Sequence, residues 1–151
     1  MIVRYKAVRP NIIRPTRANP SDAGLDVYFN PESEIVQSVT INPGGSSLLQ
    51  TGLKFEIPHG YMLQACNRSG IAAKKSLIVG AHIIDSGFFG EVFIDLHNIG
   101  LNPVEILRGD KVAQLVMVPV IHFRAIESEE IYDFPITISN RGEGALGSTG
   151  R

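Results

Sequence analysis

The sequence predicts an all-β fold, a jelly roll or distorted β-barrel of many short strands, with one short helix and a flexible C-terminal arm. Three observations predict it. Short runs of β-branched and apolar residues recur along the chain, separated by turns such as Asn42-Pro43-Gly44-Gly45 and Pro58-His59-Gly60. No segment sustains a helical period beyond about two turns. A chain of 151 residues, 44% hydrophobic and 19% charged, has the composition of one globular domain long enough to bury a sizeable core.

Taken in order, the runs expected as strands are Ile2–Val8, Leu25–Phe29, Ile35–Ile41, Ser46–Leu49, Leu53–Ile57 and Tyr61–Ala65. Later ones are Leu77–Ile84, Glu91–Leu96, Val104–Leu107, Lys111–Val118 and Phe123–Ile126. The helix candidate is Ser69–Ser76, with Ser69 as cap and Ala72-Ala73-Lys74-Lys75 as helix formers. Gly80–Asn98 reads as a β-hairpin whose turn, Ser86-Gly87-Phe88-Phe89-Gly90, uses its glycines for positive φ. Beyond the turn Val92, Ile94 and Leu96 share one face, and Phe93, Asp95 and His97 the other. Asp85 stands before the turn, directly behind Ile83-Ile84. A carboxylate there is costly to desolvate unless something pairs with it or uses it, so a turn-capping Asp and a functional Asp are both open. From Ser128 the composition becomes acidic and then Gly-rich. This divides the chain into a barrel over 1–127 and an arm over 128–151, with Ile136-Thr137-Ile138 strand-like within the arm.

Composition narrows the function. A net charge of −1 and no basic run longer than Lys74-Lys75 argue against nucleic acid as partner, while leaving room for a small anion. One cysteine, Cys66, allows neither an internal disulfide nor a CxxC metal site, and it fits a reducing compartment. The first residues lack the apolar core of a signal peptide, and no run approaches a membrane span; the expectation is a cytoplasmic protein. The chain contains no GxxxxGK[ST], HExxH or GxSxG. His59, His82, His97 and His122 lack metal-ligand spacing, which makes them ordinary surface or hydrogen-bonded histidines. Asn67-Arg68-Ser69 is a sequon without a secretory context. Gly142–Gly147 fits GxGxxG, but no strand precedes it at the right distance and no helix can follow.

Two clusters suit phosphate. Arg68-Ser69-Gly70 offers a guanidinium fork, a hydroxyl and a bare backbone N–H at the start of the helix candidate. Gly147-Ser148-Thr149-Gly150 offers two hydroxyls between glycines, with Arg141 upstream. Together with carboxylates at Asp26 and Asp85 they suggest a polyphosphate carried with a divalent cation, since Mg²⁺ prefers one or two carboxylates plus substrate phosphates.

In sequence order, five segments resemble the signature motifs of the trimeric dUTPase (deoxyuridine triphosphate nucleotidohydrolase) family. They are Asp22–Val27, Arg68–Ala72, Ile84–Glu91, Gly109–Val116 and Arg141–Gly150. The resemblance implies a jelly-roll homotrimer with sites built between subunits, hydrolysing dUTP to dUMP and pyrophosphate with Mg²⁺. By it, Asp85 is the general base for a water attacking the α-phosphate, and Asp26 supports the metal–water network from behind. Arg68, Ser69, Gly70 and Gln114 hold phosphates. Ala81, His82, Ile83 and Ile84 read the uracil edge through their backbone, and Phe88 packs under the deoxyribose. Arg141, Ser148 and Thr149 arrive on the arm and close over the phosphates, with Leu146 over the base.

Departures from the family pattern accompany these matches. Cys66-Asn67 stands where a Pro usually precedes the Arg, and Leu146 where an aromatic residue usually stacks on the base. His82 replaces a common Gly, and Gly87 a common acidic residue. The run Ala81–Gly90 therefore also resembles dCTP deaminase, a relative with the same barrel, whose catalytic Glu is matched here by the shorter Asp95. A deaminase or bifunctional dCTP/dUTP enzyme is the alternative reading. A non-catalytic, nucleotide-responsive protein-binding module is a further one.

Overall fold

A computed structural model of the chain describes residues 1–129. Six strands come first: β1 (Arg4–Ala7), β2 (Leu25–Tyr28), β3 (Ser38–Ile41), β4 (Ser46–Gln50), β5 (Leu53–Glu56) and β6 (Tyr61–Cys66). Helix α1 (Ser69–Lys75) follows, then β7 (Leu77–Val79), β8 (Ile83–Asp85), β9 (Phe93–Asn98), β10 (Val104–Leu107) and β11 (Lys111–Pro119). Every pairing among them is antiparallel. The strands form four open sheets, in the orders β2-β11-β6-β8, β4-β9-β7, β1-β5 and β10-β3. The jelly-roll-like, all-β architecture is as expected, but among the described residues no sheet closes into a barrel.

Strand periodicity builds the core. In β9, Ile94, Leu96 and Asn98 point inward while Phe93, Asp95 and His97 remain at least partly exposed. In β5, Leu53 and Phe55 are buried and Lys54 and Glu56 are exposed. Val27, Leu49, Leu53, Ile94 and Leu115 from five strands meet in one apolar cluster. Each such burial contributes about 1.5–3 kcal/mol. The buried polar residues Asn30, Thr51 and Asn98 are hydrogen-bonded. Asn30 Nδ2 donates to Thr51 O at 2.9 Å, and Thr51 Oγ1 donates to Val92 O at 2.6 Å. Asn98 Nδ2 donates to Ile41 O and to Asn102 O at 2.8 Å each. These bonds tie the loops between sheets to the core at little desolvation cost.

A bulge in β11 sets up one end of the site. The β2–β11 register shifts between Lys111 and Ala113. Residues three apart normally face opposite sides of a strand, but one inserted residue restores them to the same side. Lys111 therefore aligns with Tyr28, and Gln114 with Asp26, on one face of the sheet. The same insertion lets the neighbours Val112 and Ala113 both be buried.

Several expectations are corrected. Gly80–Asn98 is not a paired hairpin, because β8 pairs with β6 while β9 pairs with β4 and β7. The segment between β8 and β9 crosses from one sheet to another. Its far end is drawn away by Glu91, which Arg9 and the Gly52 amide hold, and by Val92 N donating to Leu53 O at 2.9 Å. Neither Gly87 nor Gly90 uses positive φ, which occurs instead at Gly44, Gly52, Gly60 and Gly109. Leu77–Ile84 is two strands interrupted at Gly80–His82, which lets β7 and β8 join different sheets. The helix cap is Arg68 and not Ser69; it is extended and makes no side-chain capping bond. Phe123–Ile126 is exposed and forms no strand. No described helix is long and apolar enough to cross a membrane.

Candidate active site

Asp26 lies at the centre of the first cleft. Its Oδ1 accepts from Arg68 Nε at 2.9 Å and its Oδ2 from Lys111 Nζ at 2.8 Å. The carboxylate is mostly buried, and both cations are about one-third exposed. The hydrogen bond from Lys111 to Asp26 raises the lysine pKa above its ordinary value of 10.5, against the opposing effect of its own burial. Lys111 also lies 5.9 Å from the Tyr28 ring centroid, a cation–π distance.

Around this pair the sequence-expected phosphate residues converge. Asp26, Arg68, Ser69, Gly70 and Gln114 line one open cleft of about 380 Å³, together with Gly24. Gln114 Nε2 donates to Asn67 O at 2.9 Å, which fixes the amide beside Arg68. Gly24 is needed for that placement, since a β-carbon on it would collide with the Gln114 side chain. There is no side-chain cap; Ile71 N and Ala72 N donate to Arg68 O at 3.0 and 2.9 Å, which leaves the Ser69 and Gly70 N–H groups facing the cleft end of α1. Hydroxyl, guanidinium and amide donors surround a space suited to an anion.

Asp85 occupies a second cleft. Ala81, Ile83, Ile84, Asp85 and Phe88 line about 230 Å³ of space with Phe93 at one wall. The Asp85 side chain is exposed and makes no hydrogen bond to a described residue. The turn-capping alternative does not apply to it; its backbone carbonyl, and not its carboxylate, accepts from Phe88 N at 3.1 Å. Strand β8 is the edge of its sheet, so one side of its backbone has no strand partner. His82 O is engaged by Ala65 N at 2.9 Å, and the His82 ring reaches Gly80 O at 3.1 Å through Nδ1. Asp95 is in a different position. Its Oδ2 meets His97 Nε2 at 2.9 Å on the β4-β9-β7 sheet.

The two clefts are well separated within one chain. Gln114 aligns with Cys66 on β6, whereas Asp85 aligns with Met62, four residues away on the same strand. That offset is roughly 13 Å along the strand, with two further strand spacings of about 4.8 Å across. Arg141, Leu146, Ser148 and Thr149 lie outside the described residues. Among the described residues no three His, Cys, Asp or Glu side chains cluster as a metal cage.

Lys111 is the residue that sequence reasoning passed over. It sits inside the segment Gly109–Val116, but the spacing to Gln114 puts the two on opposite faces unless a bulge intervenes. The Arg9–Glu91 pair was also missed. Arg9 Nη1 and Nη2 each donate to Glu91 at 2.8 Å, and Nη2 reaches Asn30 O at 2.6 Å.

Comparison with known proteins places the chain among relatives of the same fold. The family model dUTPase matches residues 10–150. A deoxyuridine 5'-triphosphate nucleotidohydrolase of Anaplasma marginale is 41% identical over 90% of this chain and 88% of its own length. One from Picosynechococcus is 35% identical over 99% of both chains. The Staphylococcus bacteriophage 80alpha dUTPase with dUpNHpp superposes with a TM-score of 0.83, at 25% identity and over 99% of each chain. A phage phi11 dUTPase of S. aureus, described with a structural Mg(II) ion, superposes at 0.76 over 87% of this chain and 99% of that one, at 24% identity. With the family model matched over residues 10–150 and relatives of 41% and 35% identity spanning nearly its whole length, the chain belongs to the dUTPase family.

Proposed function

We propose that this chain hydrolyses dUTP to dUMP and pyrophosphate, with Asp85 as the general base. The contrast between the two carboxylates carries the assignment of the base. Both Asp26 oxygens are bound to cations, whereas the Asp85 carboxylate is exposed and unbonded among the described residues. A base must be free to accept a proton.

Asp85 orients a water and takes its proton as the water oxygen bonds to the α-phosphorus. The bond from that phosphorus to the bridging oxygen breaks, and pyrophosphate leaves. Arg68, Ser69, Gly70 and Gln114 hold the phosphates and stabilise the growing charge. Asp26 does not touch the reacting atoms; it positions Arg68 and Lys111. The free edge of β8 offers alternating backbone donors and acceptors to the uracil, and Phe88 packs under the sugar. The donor set fits Mg²⁺ carried on the phosphates, not a cation caged by protein, because Asp26 has no free oxygen. An ion held in that way would supply charge neutralisation on the phosphates.

The distance between the clefts favours a site in which one chain's Asp85 cleft faces another's Arg68 cleft, and the family resemblance implies that the assembly is a homotrimer. The arm from residue 128, carrying Arg141, Leu146, Ser148 and Thr149, then completes the site. Deamination is the weaker reading, since Asp95 is already paired with His97. Assays of pyrophosphate and ammonia release from dUTP, dCTP and dTTP, each with and without Mg²⁺, separate the readings. Mg²⁺-dependent pyrophosphate from dUTP alone is expected. Ammonia from dCTP would overturn the hydrolase assignment or make it bifunctional, and a protein inert to all three would be a binding module.

A further inference from the structure

Phe88 folds back over Gly90. A β-carbon on Gly90 would lie 2.5 Å from Phe88 Cζ and 2.9 Å from Cε2, too close for any real side chain. One of the two, ring or backbone, has to give way to a substituent there. The backbone beyond Gly90 is pinned. Glu91 is held by two guanidinium nitrogens at 2.8 Å and by Gly52 N at 2.7 Å, and Val92 N is bound to Leu53 O at 2.9 Å. The ring is 44% exposed and rotates about two torsions. A larger residue at position 90 therefore moves the ring.

Gly90 has no conformational reason to be glycine, because its φ is not in the left-handed region. What its missing side chain supplies is space. Gly87, in the same turn, differs: a β-carbon there meets nothing within 4 Å.

The geometry points to Gly90 as a positioning residue that sets sugar specificity, by seating the Phe88 ring where the 2′ position of the nucleotide lies. This rests on the reading of Phe88 as the surface under the deoxyribose. Gly90 itself touches no ligand and acts only through the ring. With the ring displaced, room opens for a 2′-hydroxyl and for the water that satisfies it, so UTP gains on dUTP.

The test is the ratio of kcat/KM for dUTP to that for UTP in the wild type, Gly90→Ala, Gly87→Ala, Phe88→Ala and the double variant Phe88→Ala/Gly90→Ala. Gly90→Ala is expected to lower the ratio by about tenfold, the scale of one unsatisfied buried hydroxyl. Phe88→Ala should lower it at least as far, Gly87→Ala should keep it, and Gly90→Ala should add nothing on the Phe88→Ala background. A Gly90→Ala protein with the wild-type ratio, alongside a Phe88→Ala protein with a lowered one, overturns the role of Gly90 and leaves that of Phe88. A Phe88→Ala protein with the wild-type ratio overturns the reading beneath both. A Gly87→Ala protein that shifts the ratio overturns the inference as well, since any disturbance of the turn would then suffice. If Gly90→Ala folds too poorly to assay, melting temperatures decide: recovery in the double variant supports a clash with the ring, and no recovery overturns it.

Discussion

Lys111 Nζ and Arg68 Nε grip opposite oxygens of Asp26, at 2.8 and 2.9 Å, so that Lys111 shares the carboxylate that orients Arg68. One mostly buried group thereby joins β2, β11 and the residue that caps α1.

This linkage has a pH signature. The lysine is held above its ordinary pKa of 10.5 by the bond to Asp26. A group whose folded pKa is raised contributes stability that is fully present below its unfolded pKa and is lost as pH rises through the folded value. The melting-temperature difference between the wild type and Lys111→Met should stay level from about pH 7 to about pH 10 and shrink above that. A difference that grows with alkalinity would show that Lys111 is not stabilised by Asp26.

Asp85→Asn retains size and hydrogen bonding but cannot take up the proton. Turnover should fall by about 10²–10⁴ with nucleotide affinity little changed. Near-full kcat in the Asn variant would remove Asp85 from the mechanism.

The Arg9–Glu91 pair lies mostly out of water, with side chains 16% and 14% exposed, and the Glu91 contact raises the Arg9 pKa further. Arg9 Nε is buried without a hydrogen-bond partner among the described residues, so the pair is imperfectly compensated. Arg9→Met strands the Glu91 charge and should cost about 3 kcal/mol. Arg9→Met/Glu91→Leu should recover part of that loss, as read by denaturant titration. A double variant less stable than the single one would mean that the bond from Gly52 N to Glu91, and not the stranded charge, dominates here.

Residues 141–150 are assigned a grip on the phosphates through Arg141, Ser148 and Thr149. Truncation after Asn140 should leave the oligomer intact by size-exclusion chromatography and collapse kcat. Leu146→Phe should tighten nucleotide binding, because base–aromatic stacking contributes about 1–3 kcal/mol. Full activity in the truncated protein would assign this stretch a purely structural part.

Local pattern in the sequence identified elements well. Val104–Leu107 has the expected bounds, and α1 ends one residue before its expected limit, at a Ser76 in the left-handed conformation. The alternation from Val92 to His97 places the buried and exposed faces as expected. Pairing was less legible. Alternation reports which face of a strand is buried but not which strand lies beside it, so β8 and β9 read as partners when they belong to different sheets. The bulge before Ala113 carries no glycine to announce it, which is why Lys111 was left out of the site. Asp26, Arg68, Ser69, Gly70 and Gln114 were legible through the family resemblance and do share one cleft. That Asp26 is tied to two cations depends on side-chain geometry no motif encodes.

In the proposed homotrimer, the separation that β6 sets, with Cys66 beside Gln114 and Met62 beside Asp85, has a genetic consequence. Where the halves of a site come from different chains, damage to one half does not spoil the other. An Asp85→Asn chain and an Arg68→Met chain, each nearly inactive alone, should regain activity when unfolded and refolded together. In such mixed assemblies some sites receive an intact half from each parent. Two alleles of this gene, each disabling by itself, would then complement one another in the same cell.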